Sequence, residues 1–213
     1  MNIAGDVVRL HAFHIPLAHA EFNVVDVGMS REILPYLDQH HVSLVFNGGY
    51  FDPRMRPEGL VIAGGHTVSE FAPDLGGGVL TIRRGQATLH DGEGFTPRQL
   101  WGVDFGMQCK PRLVVDRAVN IRSDDGRRAD RTAMCIRDQG RELVVYIARS
   151  EDFRGGDGPT LRSFAEMLQR DGCDNALNLD GGPSTGAAWR QDGSTRNLPP
   201  RGSIRHAITV RLR

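Results

Sequence analysis

LVFNGGYF (residues 44–51) and ALNLDGGPSTG (residues 176–186) decide how this chain is read. Each is a short apolar run that breaks off at a polar side chain and two glycines. Runs of this length between turn residues read as buried strands. Paired glycines let the backbone turn sharply. Successive N–H groups in such turns form an anion-binding concavity. Asn47 and Asp180 then stand at strand ends, where a rigid scaffold presents chemistry, and Ser184 and Thr185 add hydroxyls just beyond. Taken singly, each motif is equally an ordinary turn after a strand. A buried strand that runs into an aspartate is harder to explain by folding, because a buried carboxylate is costly unless paired. Arg131, in RTAM, is the expected partner.

Outward from these corners, residues 6–15 and 21–27 read as strands, and Ser30 as the N-cap of a helix over 31–40. VLTIRRGQATLH (79–90) alternates around Arg84-Gly85 as a hairpin does. PRLVVDRAVN (111–120) reads as a strand with a tight turn near Asp116. TAMCIR (132–137) and ELVVYIAR (142–149) form a second hairpin. The clearest helix spans 159–170, with Pro159 in its first turn, Leu161, Phe164 and Leu168 on one face, and Gly172 closing it. HAITVRL (206–212) is the last strand. Strands dominate and the two helices lie far apart, so the expected class is α+β, with a mixed or antiparallel sheet. No linker or repeat divides the chain, so one domain over 1–213 is expected.

The 213 residues suffice to bury about 70% of the unfolded surface without a staple. Basic and acidic side chains number 26 each. That zero balance argues against a nucleic-acid coat, which needs a basic excess. All basic residues but Lys110 are arginine, the mark of a GC-rich, bacterial gene or of local anion binding. No apolar run is long enough for a membrane span. MNIAGDVVRLHAF shows no export signal. Cys109, Cys135 and Cys173 are odd in number and match no metal or redox spacing, so no disulfide is expected. No metal and no cofactor is called for. His11 and His14 face opposite sides of a strand. His40-His41 reads as a helix end.

LVFNGGYFDPRMRPEGLVIAGG, GMQCKPRLVVD, RTAM and FAEMLQRDGCDNALNLDGGPSTG occur in this order, followed by Arg205-His206-Ala207-Ile208. In this the chain resembles the phosphodiester glycosidase family over about residues 42–213. The resemblance implies one α+β domain whose active site lies where the NGG and DGG turns meet. It implies hydrolysis of a sugar-1-phosphodiester to a sugar and a phosphomonoester, and relatives outside the cytoplasm. Asn47, Gly48, Gly49, Arg131, Asp180, Gly181, Gly182 and Ser184 match the family's motif positions.

Breaking an anomeric C–O bond builds positive charge on the sugar, which a carboxylate stabilises or attacks. Asp180 is the first choice for that role. A phosphomonoester is a weak base, with a second pKa of about 6. Charge and hydrogen bonds can therefore replace full protonation of the leaving group. The Arg131 guanidinium suits two phosphate oxygens, Lys110 is a second cation within the motif blocks, and Asn47 offers an amide to a hydroxyl or the phosphate. Glu58 and Asp52, in the loop after NGG, are the alternatives for a carboxylate that activates water. Trp101 and Trp189 either stack on a sugar or pack the core. Two other readings stand beside the glycosidase: a phosphodiesterase acting at phosphorus, and a non-catalytic module that binds sugar phosphate.

Overall fold

The computed structural model describes residues 2–3, 6–39, 41–151 and 158–212. His40 lies outside them. Every strand pairing among the described residues is antiparallel, in three sheets. The first sheet has seven strands, in the order 2–3, Asp6–Pro16, Glu142–Ser150, Arg131–Arg137, Asn175–Asn178, Arg112–Val115 and Ala118–Val119. The second orders Ser194–Leu198, Ala187–Gln191, Val42–Asn47, Ile204–Leu212 and Ala20–Ser30. The third orders His66–Ser69, Val61–Ala63, Phe105–Cys109, Gly78–Arg83 and Gln86–Asp91. The molecule is thus mostly β, and the α+β expectation holds only roughly. No helix among the described residues is long and apolar enough to cross a membrane.

One core joins the three sheets. Met134, Val145, Ile147 and Leu177 come from the first sheet, Leu44, Phe46 and Ile208 from the second, and Leu80, Phe105 and Met107 from the third. The first sheet is covered on its other face by helix α2 (Leu161–Arg170), whose Phe164, Ala165, Met167 and Leu168 are buried. That double cover explains why LVVYIA has no polar alternation: Leu143, Val145 and Ile147 face one core, and Val144, Tyr146 and Ala148 the other. Burying each large side chain of α2 contributes about 2 kcal/mol. The Thr160 hydroxyl accepts from Ser163 N and caps the helix, and Gly172 closes it at φ +90°.

The expected helix over 31–40 shrinks to one turn, α1 (Leu34–Leu37). The preceding strand runs on to Ser30, opposite Ile204, and uses up the residues meant for the first turn. Pro35 has no N–H to donate and belongs near a helix start. The Ser30 hydroxyl accepts only from Glu32 N. The two-residue turns at Arg84-Gly85 and Asp116-Arg117 have positive φ at both positions, as tight hairpins require.

The cysteine expectation is overturned. Cys135 and Cys173 form a disulfide with Cα atoms 5.6 Å apart. Their 38-residue separation closes because α2 carries the chain back to a strand that pairs Cys135 with Ala176. Cys109 remains a free, buried thiol.

Candidate active site

The two glycine corners meet. Asn47 ends a strand of the second sheet, and Asn178 ends the strand of the first sheet that leads into Asp180. Asn47 Nδ2 donates to the Asp180 carbonyl at 2.7 Å, and Asp180 N donates to the Gly48 carbonyl at 3.3 Å. Asn47 Oδ1 accepts from the Thr132 hydroxyl at 2.7 Å and from Gly186 N at 3.2 Å. The remaining Nδ2 hydrogen goes to the Gly48 carbonyl at 3.3 Å. At 1% exposure, Asn47 has no capacity left for a substrate. It clamps the DGG corner in place.

The N–H groups expected to cradle an anion already have partners within the fold. Gly48 N donates to the His206 carbonyl at 3.1 Å, and Gly49 N to His206 Nε2 at 3.0 Å. Gly181 N donates to the Asp180 carboxylate at 2.9 Å, and Gly182 N to the Asp130 carbonyl at 2.7 Å. All four N–H groups are spent internally. Gly48 is glycine because a Cβ there would stand 2.2 Å from His206 Cδ2. At Gly49 it would stand 2.9 Å from the Met107 sulfur. Burial lowers the pKa of His206 to about 4, so the ring is neutral and Nε2 is its acceptor.

Asp180 is only partly exposed. Burial raises its pKa, and hydrogen bonds from the Ser184 side chain and Gly181 N pull the other way. Arg131 does not neutralise it. Arg131 is 9% exposed, with Nε donating to the Pro159 carbonyl at 3.2 Å and Nη2 to the Arg127 carbonyl at 2.8 Å. Its Nη1 makes no hydrogen bond among the described residues. It still borders the corner, since a Cβ on Gly181 would lie 3.9 Å from Arg131 Cδ. Ser184 is buried but bonded to Asp180. Thr185 is wholly buried, because its N–H folds back to the Gly182 carbonyl and the chain turns straight into the next strand. Its hydroxyl is buried and has no hydrogen-bond partner among the described residues.

Tyr50 and Asn178 lie within the two opening motifs but carry no expected role there. The Tyr50 hydroxyl donates to the Lys110 carbonyl at 2.6 Å and accepts from Asn178 Nδ2 at 3.3 Å. Burial, then the nearby Cys109 and Asp180, push its pKa up. Burial likewise pushes Cys109 up to about 12. This network joins the Asp180 corner to a cavity of about 750 Å³ that Asp52, Glu58 and Lys110 line together. Asp52 is held there by Arg56: Arg56 N donates to Oδ1 at 2.9 Å and Nε to Oδ2 at 2.7 Å, which lowers its pKa. Glu58 is exposed, and its carboxylate has no partner among the described residues. Trp101 stands 83% exposed on a loop, whereas Trp189 packs against Phe13 and His11.

Among solved structures, a hypothetical protein from Synechocystis superposes with a TM-score of 0.77 at 16% identity, covering all of this chain and 61% of that one. The zebrafish N-acetylglucosamine-1-phosphodiester alpha-N-acetylglucosaminidase catalytic domain, auto-inhibited by its pro-peptide, gives 0.70 at 15% identity, covering 99% of this chain and 85% of that one. A Burkholderia pseudomallei protein gives 0.62 at 10% identity, covering 95% and 73%. These are likenesses of fold, and this chain spans 61% of the length of the Synechocystis protein. No curated protein matches. The family model of phosphodiester glycosidases matches residues 40–210. With most of its length so matched, the chain belongs to the phosphodiester glycosidase family.

Proposed function

We propose that this protein hydrolyses the glycosidic C–O bond of a sugar-1-phosphodiester, releasing the sugar and a phosphomonoester. The observation that supports it most is the place of Asp180. A partly buried carboxylate, without a cationic partner among the described residues, follows a core strand beside a guanidinium whose Nη1 donors are unspent among the described residues. Folding alone gives no reason to hold a carboxylate there, because burial disfavours its charge. An oxocarbenium-like sugar gives that charge a partner at the moment of reaction.

The hydrogen bonds support a division of labour. Asp180 faces the anomeric carbon and stabilises or attacks it. Ser184 and Gly181 N fix the orientation of its carboxylate. Arg131 receives the departing phosphate through Nη1, the part of its fork that no carbonyl occupies. Lys110 adds a second cation from the cavity side. Glu58 activates water there, since Asp52 is committed to Arg56. Asn47, Gly48 and Gly49 hold the corner and do not touch substrate. Gly182 shapes the turn.

Hydrolysis in heavy-oxygen water tests this reading. The label is expected in the sugar, because the bond to carbon breaks. Label in the phosphomonoester would show attack at phosphorus and replace the glycosidase with a phosphodiesterase. No turnover of any sugar-1-phosphodiester, with such diesters still bound, would favour a binding module.

A further inference from the structure

We propose that Arg9, Arg149 and Arg201 form a second oxyanion site beside the Asp180 turn, for a phosphate group other than the one at the scissile bond. These three arginines line a cavity of about 370 Å³ with Ser150, Glu151 and Leu198. The Arg149 and Arg201 side chains are 11% and 19% exposed. Among the described residues they share one acidic partner, Asp130, whose side chain is 1% exposed. Arg201 Nη1 lies 3.2 Å from Asp130 Oδ2, and Arg149 Nε 3.9 Å from the same atom. Among the described residues, two mostly buried cations thus face one carboxylate. Arg9, paired with Glu151 at 3.3 Å, stands at the more exposed side.

Some of the hydrogen bonding is already spent. Arg149 Nη1 donates to the Pro199 carbonyl at 2.6 Å, and Arg201 Nη2 to the Ser150 carbonyl at 3.1 Å. Arg201 Nε is buried with no acceptor among the described residues. Burial, and then the charge of Arg201, lower the pKa of Arg149. A buried charge without a partner is costly, and guanidinium forks match phosphate oxygens in pairs. An incoming phosphate would answer the excess charge through the guanidinium faces that line the cavity.

The cavity adjoins the catalytic turn. Arg201 N and Gly202 N donate to the Pro183 carbonyl at 2.8 and 2.9 Å, and the Asp130 carbonyl accepts from Gly182 N. The oxyanion has two possible sources: a second phosphate on the substrate's alcohol half, or free inorganic phosphate. The first rests on the proposed function, and the second does not.

Calorimetric titration of the protein with inorganic phosphate tests the site, with Arg131→Gln as the background that removes binding at the reaction centre. Arg149→Gln is expected to weaken the remaining binding about tenfold or more. Arg9→Gln, a change at an exposed position, serves if Arg149→Gln does not fold. No binding in the Arg131→Gln background, or equal binding after both further substitutions, would overturn the proposal. Hydrolysis then separates the sources. A rise in KM of about tenfold in Arg149→Gln, confined to diesters with a second phosphate, assigns the site to substrate. Weakened phosphate binding with unchanged KM assigns it to free phosphate. If no diester is hydrolysed, the function fails while the titration still decides the site.

Discussion

The NGG and DGG corners are near-twins in sequence and opposites in structure. At the first, Asn47 is 1% exposed, and its amide and both glycine N–H groups are consumed by the fold. At the second, Asp180 is only partly buried, and its carboxylate has hydrogen bonds from Ser184 and Gly181 N but no cationic partner among the described residues. The same local device, a strand that ends in a polar residue and two glycines, braces the molecule in one place and presents chemistry in the other. The titrating groups differ too. His206, beside NGG, is held neutral by burial, with its pKa lowered to about 4. Asp180 has its pKa raised by burial. Acid strains the first corner and alkali the second.

The largest effect expected is on turnover at the DGG corner. Asp180→Asn should lower kcat by roughly three orders of magnitude while the fold persists. Steady-state kinetics beside a melting curve checks it, and near-normal turnover would remove the carboxylate from the mechanism.

At the NGG corner the loss should be of fold. Asn47→Ala leaves the Thr132 hydroxyl, Gly186 N and the Asp180 carbonyl without their partner. A cost of roughly 3 kcal/mol is expected, which lowers Tm by about 10 °C in a protein of this size. A folded Asn47→Ala protein of unchanged Tm and no activity would erase the distinction between the corners.

The acid limb comes next. The pKa of His206 falls from 6.5 unfolded to about 4 folded, so the unfolded chain binds more protons over that range. Stability should therefore drop as pH falls from 6.5 towards 4, by about 3 kcal/mol in total. His206→Gln keeps an acceptor for Gly49 N and should flatten that limb in chemical denaturation across pH.

Arg131→Lys should reduce kcat/KM by roughly tenfold to a hundredfold, since an ammonium cannot replace the fork. An unchanged kcat/KM would place the phosphate elsewhere.

The smallest effect carries the opposite sign. Asp180 is held above its unfolded pKa, so the stability tied to its neutral form is present below the unfolded value and lost as pH rises through the folded one. Asparagine does not ionise. Asp180→Asn should be indistinguishable in Tm from the native protein in strong acid. It should melt higher at neutral pH.

Most strands were legible because alternation and turn chemistry are local. VLTIRRGQATLH and TAMCIRDQGRELVVYIAR show their hairpins in the chain itself. The helix expected over 31–40 is cut short because a strand pairing with Ile204, distant in sequence, holds the chain extended to Ser30. Within the site, Asp180 stood out as a carboxylate at the end of an apolar run. Tyr50, Asn178 and His206 did not, because their roles come from partners 60, 68 and 157 residues away. The Cys135–Cys173 bond was hidden for the same reason: spacing motifs record local chemistry, and this pair is brought together by a crossover helix.

By itself, then, the chain's order of residues determined where strands lie, where they turn, and that an amide and an acid stand at matching ends. Which corner is fully buried and which keeps a carboxylate without a cation was decided only in three dimensions. Burial and the filling of hydrogen-bond donors depend on which neighbours arrive. His206, Thr132 and Gly186 converge on Asn47, while no cation among the described residues arrives to neutralise Asp180.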